Sequence, residues 1–370
     1  MWQRGVWAEI NLSAIKNNIR AVKKLLQPKT KICAVVKADA YGHGAVPVAN
    51  AALSAGADML AVAFLQEALN LRAGGITSPI LILGFTPAQQ APLAVAAGIT
   101  QTVYTKEALL AVSAAAVAAK TTAKIHIKID TGMGRIGLLP KDAAAFIGAA
   151  AELPGISVEG VFSHFADADS LDKTYAKAQL ASFQQVLRQL EGMTIELKHI
   201  ANSAAALQMR EAHLDMARLG IAMYGLWPSP EMETAWANEV KLTPAMTLCA
   251  QISHLKDLLP GESISYGRTY FTTAKQKIAT LPLGYADGLN RNLSGKMSVF
   301  LKGRAAPLAG RICMDQCMAD VSGIEGVAAG DTAVIFGAGA LSASDIAALL
   351  NTINYEVVCS IGKRVPRLYY

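Results

Sequence analysis

The chain is 370 residues long, 52% hydrophobic and 17% charged, which excludes a disordered or charge-swollen polymer and gives room for two domains with a large core. Its net charge of +6 comes from 34 basic and 28 acidic residues, and the whole excess lies in residues 1–40, where eight Lys/Arg stand against only Glu9 and Asp39. Aromatics are only 6% and no basic stripe carries stacking side chains, so this excess does not describe a nucleic-acid surface.

The opening run, MWQRGVWAEINL, lacks the basic leader, apolar run and cleavage site of a secretion signal. Within it, VWAEINL reads as a strand that could belong to either domain. From Ser13 to Leu26, Ile15, Ile19, Val22, Leu25 and Leu26 recur at helical spacing, with Lys16, Arg20, Lys23 and Lys24 between them. The basic excess is thereby expected to be the solvated face of a helix. Lys37 does not fit that pattern.

From residue 31 onward, short apolar β-branched runs alternate with helical stretches. The strands are expected near 31–38, 58–64, 79–85, 99–105, 124–131, 158–165, 195–203 and 215–225. Helical segments fall at 43–56, 66–73, 88–97, 106–119, 140–151, 173–190 and 204–211. The most apolar of them, Ala108 to Ala119, is too short to span a bilayer and reads as a buried Ala-rich helix. Eight parallel-type strands with crossover helices predict an α/β fold, a (β/α)8 TIM-type barrel over residues 1–235. A doubly wound open sheet is the alternative, although no GxGxxG turn follows the first strand. After WPSPEMETAW the helix period fades until SASDIAALL, and strand-like runs punctuated by Gly, Pro and Asp predict a mainly-β domain over 236–370. The five cysteines, Cys33, Cys249, Cys313, Cys317 and Cys359, form neither a CxxC pair nor a zinc pattern. Free thiols in a cytoplasmic protein without a metal are the expectation.

A TIM-type barrel carries its active site at the C-terminal ends of its strands. Polar residues at those ends are Lys37, Asp39, Tyr41 and His43 after the first strand, and Lys128, Asp130 and Arg135 at the fifth. His164 follows the sixth, Asn202 and Ser203 the seventh, and Arg218 lies in the eighth. Lys37 closes an apolar strand; a lysine there is either snorkelling or destabilised as a cation, which makes its amine nucleophilic and suits carbonyl or pyridoxal phosphate (PLP) chemistry. Ser203 and the Gly220 backbone stand where barrels commonly hold phosphate, though Ser203 alone also reads as a helix N-cap. Arg135, in DTGMGRIG, lies in a Gly-rich turn that suits a carboxylate ligand or simply the surface.

VVKADAYGHG, KIDTGMGRIG, HFADAD, HIANSAA, ARLGIAMYGL, SYGRTY, LPLGYADG and GRICMDQCMAD, in this order, resemble the motif set of the PLP-dependent alanine racemases. The resemblance runs from the first barrel strand to residue 355. It implies an N-terminal barrel and C-terminal β domain in a head-to-tail homodimer, with PLP as cofactor and L- or D-alanine as substrate. It implies that Lys37 carries PLP covalently and acts as one base, while Tyr266, from the second subunit, acts as the other. Tyr266 alone would read as a buried strand tyrosine, and a tyrosine needs tuning by neighbours to serve as a base at neutral pH. It further implies that Arg218 faces the pyridine nitrogen with His164 holding it. Tyr41, Asn202, Ser203, Gly220, Ile221 and Tyr355 join the cofactor site. Arg135 and the Met314 amide meet the substrate, and Tyr285, Arg291 and Asp315 line its entry. Lys128 matches a position that is carbamylated in many members, where it positions Arg135. The implied role is D-alanine supply for peptidoglycan or alanine catabolism.

Within such a family, a serine or broad-specificity racemase is the nearest rival, although the broad-specificity type usually carries a signal peptide. A PLP-dependent decarboxylase of similar plan would set an acidic residue where Arg218 stands.

Overall fold

The computed structural model describes residues 4–370; Met1–Gln3, the first part of the run expected to lack a leader, lie outside the described residues. The chain divides into two compact units. One comprises Ile15–Ala40 and Ala45–Thr243; the other gathers the residues up to Ala14, Tyr41–Gly44 and Pro244–Tyr370.

In the first unit all eight expected strands form, each shorter than its apolar run. With β1 (Val6–Ile10) reserved for the second unit, they are β2 (Lys31–Val35), β3 (Met59–Val62), β4 (Ile80–Ile82), β5 (Thr100–Val103), β6 (Ala123–Lys128), β7 (Ile156–Phe162), β8 (Leu197–His199) and β9 (Met216–Leu219). They pair in parallel in the order β8-β7-β6-β5-β4-β3-β2-β9. The ring is completed between its two ends by Asp215 N–H donating to Lys198 O and Arg218 N–H to Ala201 O, at 3.1 and 3.0 Å. This nearly closed barrel, not the open sheet, is the fold.

The strands read as unbroken apolar runs because helices cover their outer side, and Ile32, Leu60, Ile80, Leu81, Ile82, Ile125 and Ile127 are wholly buried. The basic helix Leu12–Lys23 turns Ile15, Ile19 and Val22 inward and leaves Arg20, Lys23 and Lys24 in water, as its spacing predicts. The Ala-rich helix Lys106–Ala118 differs from expectation. It buries Leu109, Val112, Ala115 and Ala116 but exposes Leu110 at 46% and Val117 at 52%, so it is a one-sided surface helix. No helix of the described residues is long and apolar enough to cross a membrane.

The second unit holds a six-stranded sheet, ordered Arg304–Pro307, Ser298–Leu301, Thr332–Phe336, Met246–Gln251, β1, Arg367–Tyr369. It also holds a three-stranded sheet of His254–Leu258, Gln276–Leu281 and Cys317–Asp320, and a short hairpin, Ser263–Ile264 with Tyr270–Phe271. The first strand of the chain is therefore owned by this unit. It pairs antiparallel with Met246–Gln251 and parallel with Arg367–Tyr369, so both its edges are used.

The expected division at residue 235 is displaced accordingly. Helix Pro230–Trp236 is followed by a segment fastened to the barrel by Asn18, whose Nδ2 donates to Thr243 O at 2.9 Å and whose Oδ1 accepts from Thr243 N at 2.8 Å. That buried two-way amide clasp keeps residues up to Thr243 with the first unit.

Candidate active site

The open end of the barrel is assembled from strand termini. The chain leaves β2 through Lys37 into a turn of left-handed backbone, with φ of 52° at Ala38, 52° at Asp39, 54° at Ala40 and 52° at Tyr41. Non-glycine residues there cost on the order of 1–2 kcal/mol each, so the turn must be held from outside. Glu67 does this with both oxygens: Oε1 accepts from Ala38 N–H at 2.6 Å and Oε2 from Ala63 N–H, beyond β3, at 2.7 Å. Asp39 Oδ1 accepts from Ala45 N–H at 2.7 Å, closing the far side. Lys37 is thus fixed at its Cα by a strained turn, and its side chain is half-buried.

The Gly-rich stretch after β6 folds back on its own strand, with Asp130 N–H donating to Leu138 O at 2.8 Å and Leu138 N–H to Lys128 O at 2.9 Å. A side chain at Gly137, whose φ is +128°, would approach Asp130 N to 2.7 Å. Asp130 Oδ1 accepts from Gly132 and Gly134 N–H at 3.0 and 3.1 Å, so its charge is spent inside the turn. Arg135 projects from this frame and is exposed.

Deeper in, Arg218 on β9 is only 3% exposed, and its partners are all neutral. Nη1 donates to His199 Nδ1 at 2.7 Å; Nη2 donates to Ser163 O at 2.9 Å, Ile200 O at 3.0 Å and His164 Nδ1 at 3.0 Å. Nε makes none of these bonds. Burial pulls the guanidinium down to about 10, so it remains a cation at neutral pH. The ring of Phe162 lies against this group, with Arg218 Cζ 5.4 Å and Lys128 Nζ 4.9 Å from its centroid.

Lys128 is 2% exposed, and its amine donates one hydrogen bond among the described residues, to Ile129 O at 3.3 Å. Burial, and then the charge of Arg218, holds its amine well below the usual lysine range. His164 is likewise held well below the ordinary histidine value, by burial first and then by the fields of Arg218, Lys128, Arg135 and Lys37. Four basic side chains from three strand ends therefore act on one neutral imidazole. Such a mouth focuses positive potential and suits a ligand bearing phosphate and carboxylate.

At the end of β8, Asn202 caps helix Ser203–Gln208 by accepting from Ala205 N–H at 3.0 Å. The cap is thus Asn202 and not Ser203. The Ser203 hydroxyl accepts instead from Gly220 N–H at 2.9 Å and Ala222 N–H at 3.4 Å, gathering the turn around Ile221.

The barrel unit accordingly brings together Lys37, Lys128, Arg135, His164, Asn202, Ser203, Arg218, Gly220 and Ile221. The other sequence-derived residues belong to the β unit. Tyr41 and Tyr355 face each other with ring centroids 6.1 Å apart. Tyr266 stands at the tip of the short hairpin, 68% exposed, so it is not a buried strand tyrosine. Ser265, with φ of 68°, and Arg268, with φ of 49°, set this strained tip, and Ser265 Oγ anchors it to Arg311 O at 2.6 Å. Tyr285 and Arg291 line a cavity of about 510 Å³ within that unit. The Tyr285 turn is bound to the Cys313–Met314 backbone, as Tyr285 N–H donates to Cys313 O and Ala286 N–H to Met314 O, both at 3.0 Å. The buried carboxylate of Asp287 pins the turn through Arg4 at 2.8 Å and Arg364 at 3.0 Å, and Arg364 also reaches Asp315 at 2.6 Å.

Strand-end reasoning passed over three residues inside the barrel: His199, His126 and Glu159. His126 Nδ1 lies 2.9 Å from His199 Nε2, and His126 Nε2 lies 3.2 Å from Glu159 Oε2. Lys124 donates to Glu159 Oε1 at 2.5 Å. The available signal was KIHIKID, where Lys124, His126, Lys128 and Asp130 recur at period two in a mostly buried strand.

These groups make the fold acid-sensitive. Burial holds His126, His164 and His199 below 6.5, while the His126 and Lys124 hydrogen bonds bring Glu159 from 4.5 down to about 2 despite its burial. All four are depressed, so the unfolded chain binds more protons than the native one as pH falls below 6.5 for the histidines and below 4.5 for Glu159. Stability is fully present above those values and declines below them, each histidine costing at most about 1.4 kcal/mol per pH unit. A Tm profile should slope downward from pH 6.5 to 4.5 and steepen below, with Glu159→Gln reducing the steepening. A flat profile from pH 7 to 5 would contradict this assignment.

Residues 10–228 match the family profile of the alanine racemase N-terminal domain, and residues 245–369 that of the alanine racemase C-terminal domain. The chain is 50% identical over 370 residues to an alanine racemase of Desulfovibrio desulfuricans, covering 100% of this chain and 99% of the relative. It is 48% identical to an alanine racemase of Desulforamulus reducens, over 98% of each chain. Among solved structures, alanine racemase of Clostridium difficile 630 superposes with a TM-score of 0.96 at 41% identity, covering 100% of this chain and 97% of the other.

Proposed function

This chain belongs to the alanine racemase family, and we propose that it interconverts L- and D-alanine using PLP at the open end of the barrel and two bases, Lys37 and Tyr266 of the partner subunit. The observation that carries the reading is Arg218: a buried cation whose hydrogen-bond partners are all neutral. A decarboxylase of similar plan would need a carboxylate at that place.

The residues present fit the cofactor on their own geometry. The Ser203 hydroxyl, whose oxygen accepts from the Gly220 and Ala222 amides, has its own proton to offer a phosphate, Asn202 and Ile221 shape the same turn, and Arg218 Nε offers a donor to a ring nitrogen. Tyr41 and Tyr355 complete the phosphate site in this assignment. Bound there, PLP supplies the electron sink that lowers the barrier to breaking the α-C–H bond of an amino acid.

The protein's own groups do the rest. A permanently charged Arg218 disfavours a proton on the ring nitrogen, which limits the sink and with it side reactions such as transamination. His164, kept neutral, accepts from Arg218 and does not compete with it. Arg135 takes the substrate carboxylate, with the Met314 amide of the second copy beside it. Lys37 Nζ removes or returns the α-proton on one face, and the Tyr266 hydroxyl of the partner subunit does so on the other. Tyr285, Arg291 and Asp315 form the approach. An exposed Tyr266 on a rigid tip is what a base lent to a second copy requires, and we assign the active form to a homodimer in the cytoplasm. Lys128, a buried amine held well below the usual lysine range, is set to add to carbon dioxide with loss of a proton, giving a carbamate that neutralises Arg135.

The test is coupled conversion of L- to D-alanine with added PLP and L-serine as competitor. D-alanine formation that L-serine does not outcompete supports the reading; carbon dioxide release, or preferred turnover of serine, overturns it. The same preparation supplied with 13C-bicarbonate should show a carbamate carbon resonance that Lys128→Ala abolishes.

A further inference from the structure

The deepest unexplained polar groups lie in the barrel interior, beneath the proposed site. Glu159, His126, His199 and Arg218 form a continuous chain with separations of 3.2, 2.9 and 2.7 Å. His126 and His199 are completely buried, and an imidazole chain in an apolar barrel core has no ordinary stabilising role.

Two backbone features accommodate it. The register of β6 against β7 slips once: Ile125 lies opposite Val158 and His126 opposite Gly160, leaving Glu159 as the extra residue of a β-bulge. Bulges re-aim a side chain, and this one turns the carboxylate toward His126. The next residue is Gly160, where a Cβ would lie 2.8 Å from the His126 ring, so the facing strand gives up a side chain to make room for that imidazole. The His199 ring is further clamped flat on Phe162, with centroids 4.8 Å apart and planes within 3°.

Only one proton arrangement satisfies this chain. Arginine has no acceptor, so His199 Nδ1 must be bare and accept from Arg218. His199 then carries its proton on Nε2 and donates to His126 Nδ1, which must also be bare. His126 in turn carries its proton on Nε2 and donates to Glu159 Oε2. A proton on His126 Nδ1 would force His199 Nε2 to accept and would set an Nδ1–H against Arg218. Burial disfavours the doubly protonated form of either ring.

We infer that Glu159 is a remote positioning residue for the racemase site: through two neutral histidines locked as Nε2–H tautomers, it fixes the orientation of Arg218. The carboxylate sits toward the opposite end of the strands, where Lys124, with a side chain 58% exposed, neutralises it. The consequence for catalysis rests on the proposed role of Arg218, whereas the proton arrangement does not.

The test is histidine-selective 15N labelling of the PLP-bound protein, with two-bond 1H–15N correlations assigning the tautomers of its six histidines. Nε2–H is expected at both His126 and His199. Nδ1–H at either, or a charged ring at neutral pH, overturns the inference without any variant being needed. Glu159→Gln, whose amide oxygen can still accept, should keep the His199 pattern. Glu159→Leu should shift or split it and change the absorbance of bound PLP. It should also lower kcat about tenfold, the lower end for groups that orient a site from behind, with KM little changed. A folded Glu159→Leu protein with wild-type His199 signals and PLP spectrum would sink the proposal. The predicted tautomers in a chain that makes no D-alanine would instead refute the proposed function and leave the relay standing.

Discussion

Lys37→Ala is expected to abolish racemisation and to end covalent attachment of PLP, so that borohydride treatment no longer fixes the cofactor to the chain. The loss in kcat should be at least a thousandfold, since one substitution removes both an anchor and a base, and acid–base groups alone contribute about 10²–10⁴. The side chain is half-buried at the end of β2, and the variant is expected to fold, which its Tm checks. Its precision comes from the backbone. Four consecutive left-handed residues beyond it are held by Glu67 and Asp39, and that expense makes sense only if the position of Lys37 matters. Borohydride-stable PLP on the Lys37→Ala protein would move the attachment elsewhere and overturn the assignment.

The barrel was legible in the sequence because its signal is coarse. Eight β-branched runs spaced by helical segments survive errors of a few residues at each end, and each observed strand lies within or beside its run. The ownership of Val6–Ile10 was not legible, because strand propensity says nothing about partners 240 or 360 residues away. The Asn18 clasp that moves the boundary to Thr243 is likewise a long-range contact between polar residues that look ordinary in sequence. At the site, strand-end position and motif resemblance reached Lys37, Arg135, His164 and Arg218. They missed His126 and Glu159, which lie mid-strand and act through other side chains. The register slip that aims Glu159 depends on pairing, and pairing is invisible in a single strand. The missing side chain at Gly160, by contrast, was in plain view and became meaningful only with His126 opposite it.

Tyr266→Ala is expected to slow α-deuterium exchange from one alanine enantiomer by about a hundredfold or more while sparing the other, because each base serves one face of the substrate. Equal losses for L- and D-alanine would contradict a two-base scheme. The residue's placement sharpens the test. At 68% exposure on a hairpin tip, Tyr266 contributes little to its own unit's core, so its loss should not unfold the protein. If the hydroxyl is lent to a second copy, two individually inactive variants should complement each other. In a mixed dimer of Lys37→Ala and Tyr266→Ala chains, one site keeps both Lys37 and Tyr266 and the other keeps neither. Random assortment makes half the dimers mixed, so equimolar co-folding should restore about a quarter of wild-type activity. Were Tyr266 to act on its own barrel, every site in every dimer would lack one base, and the mixture would remain as inactive as its parents.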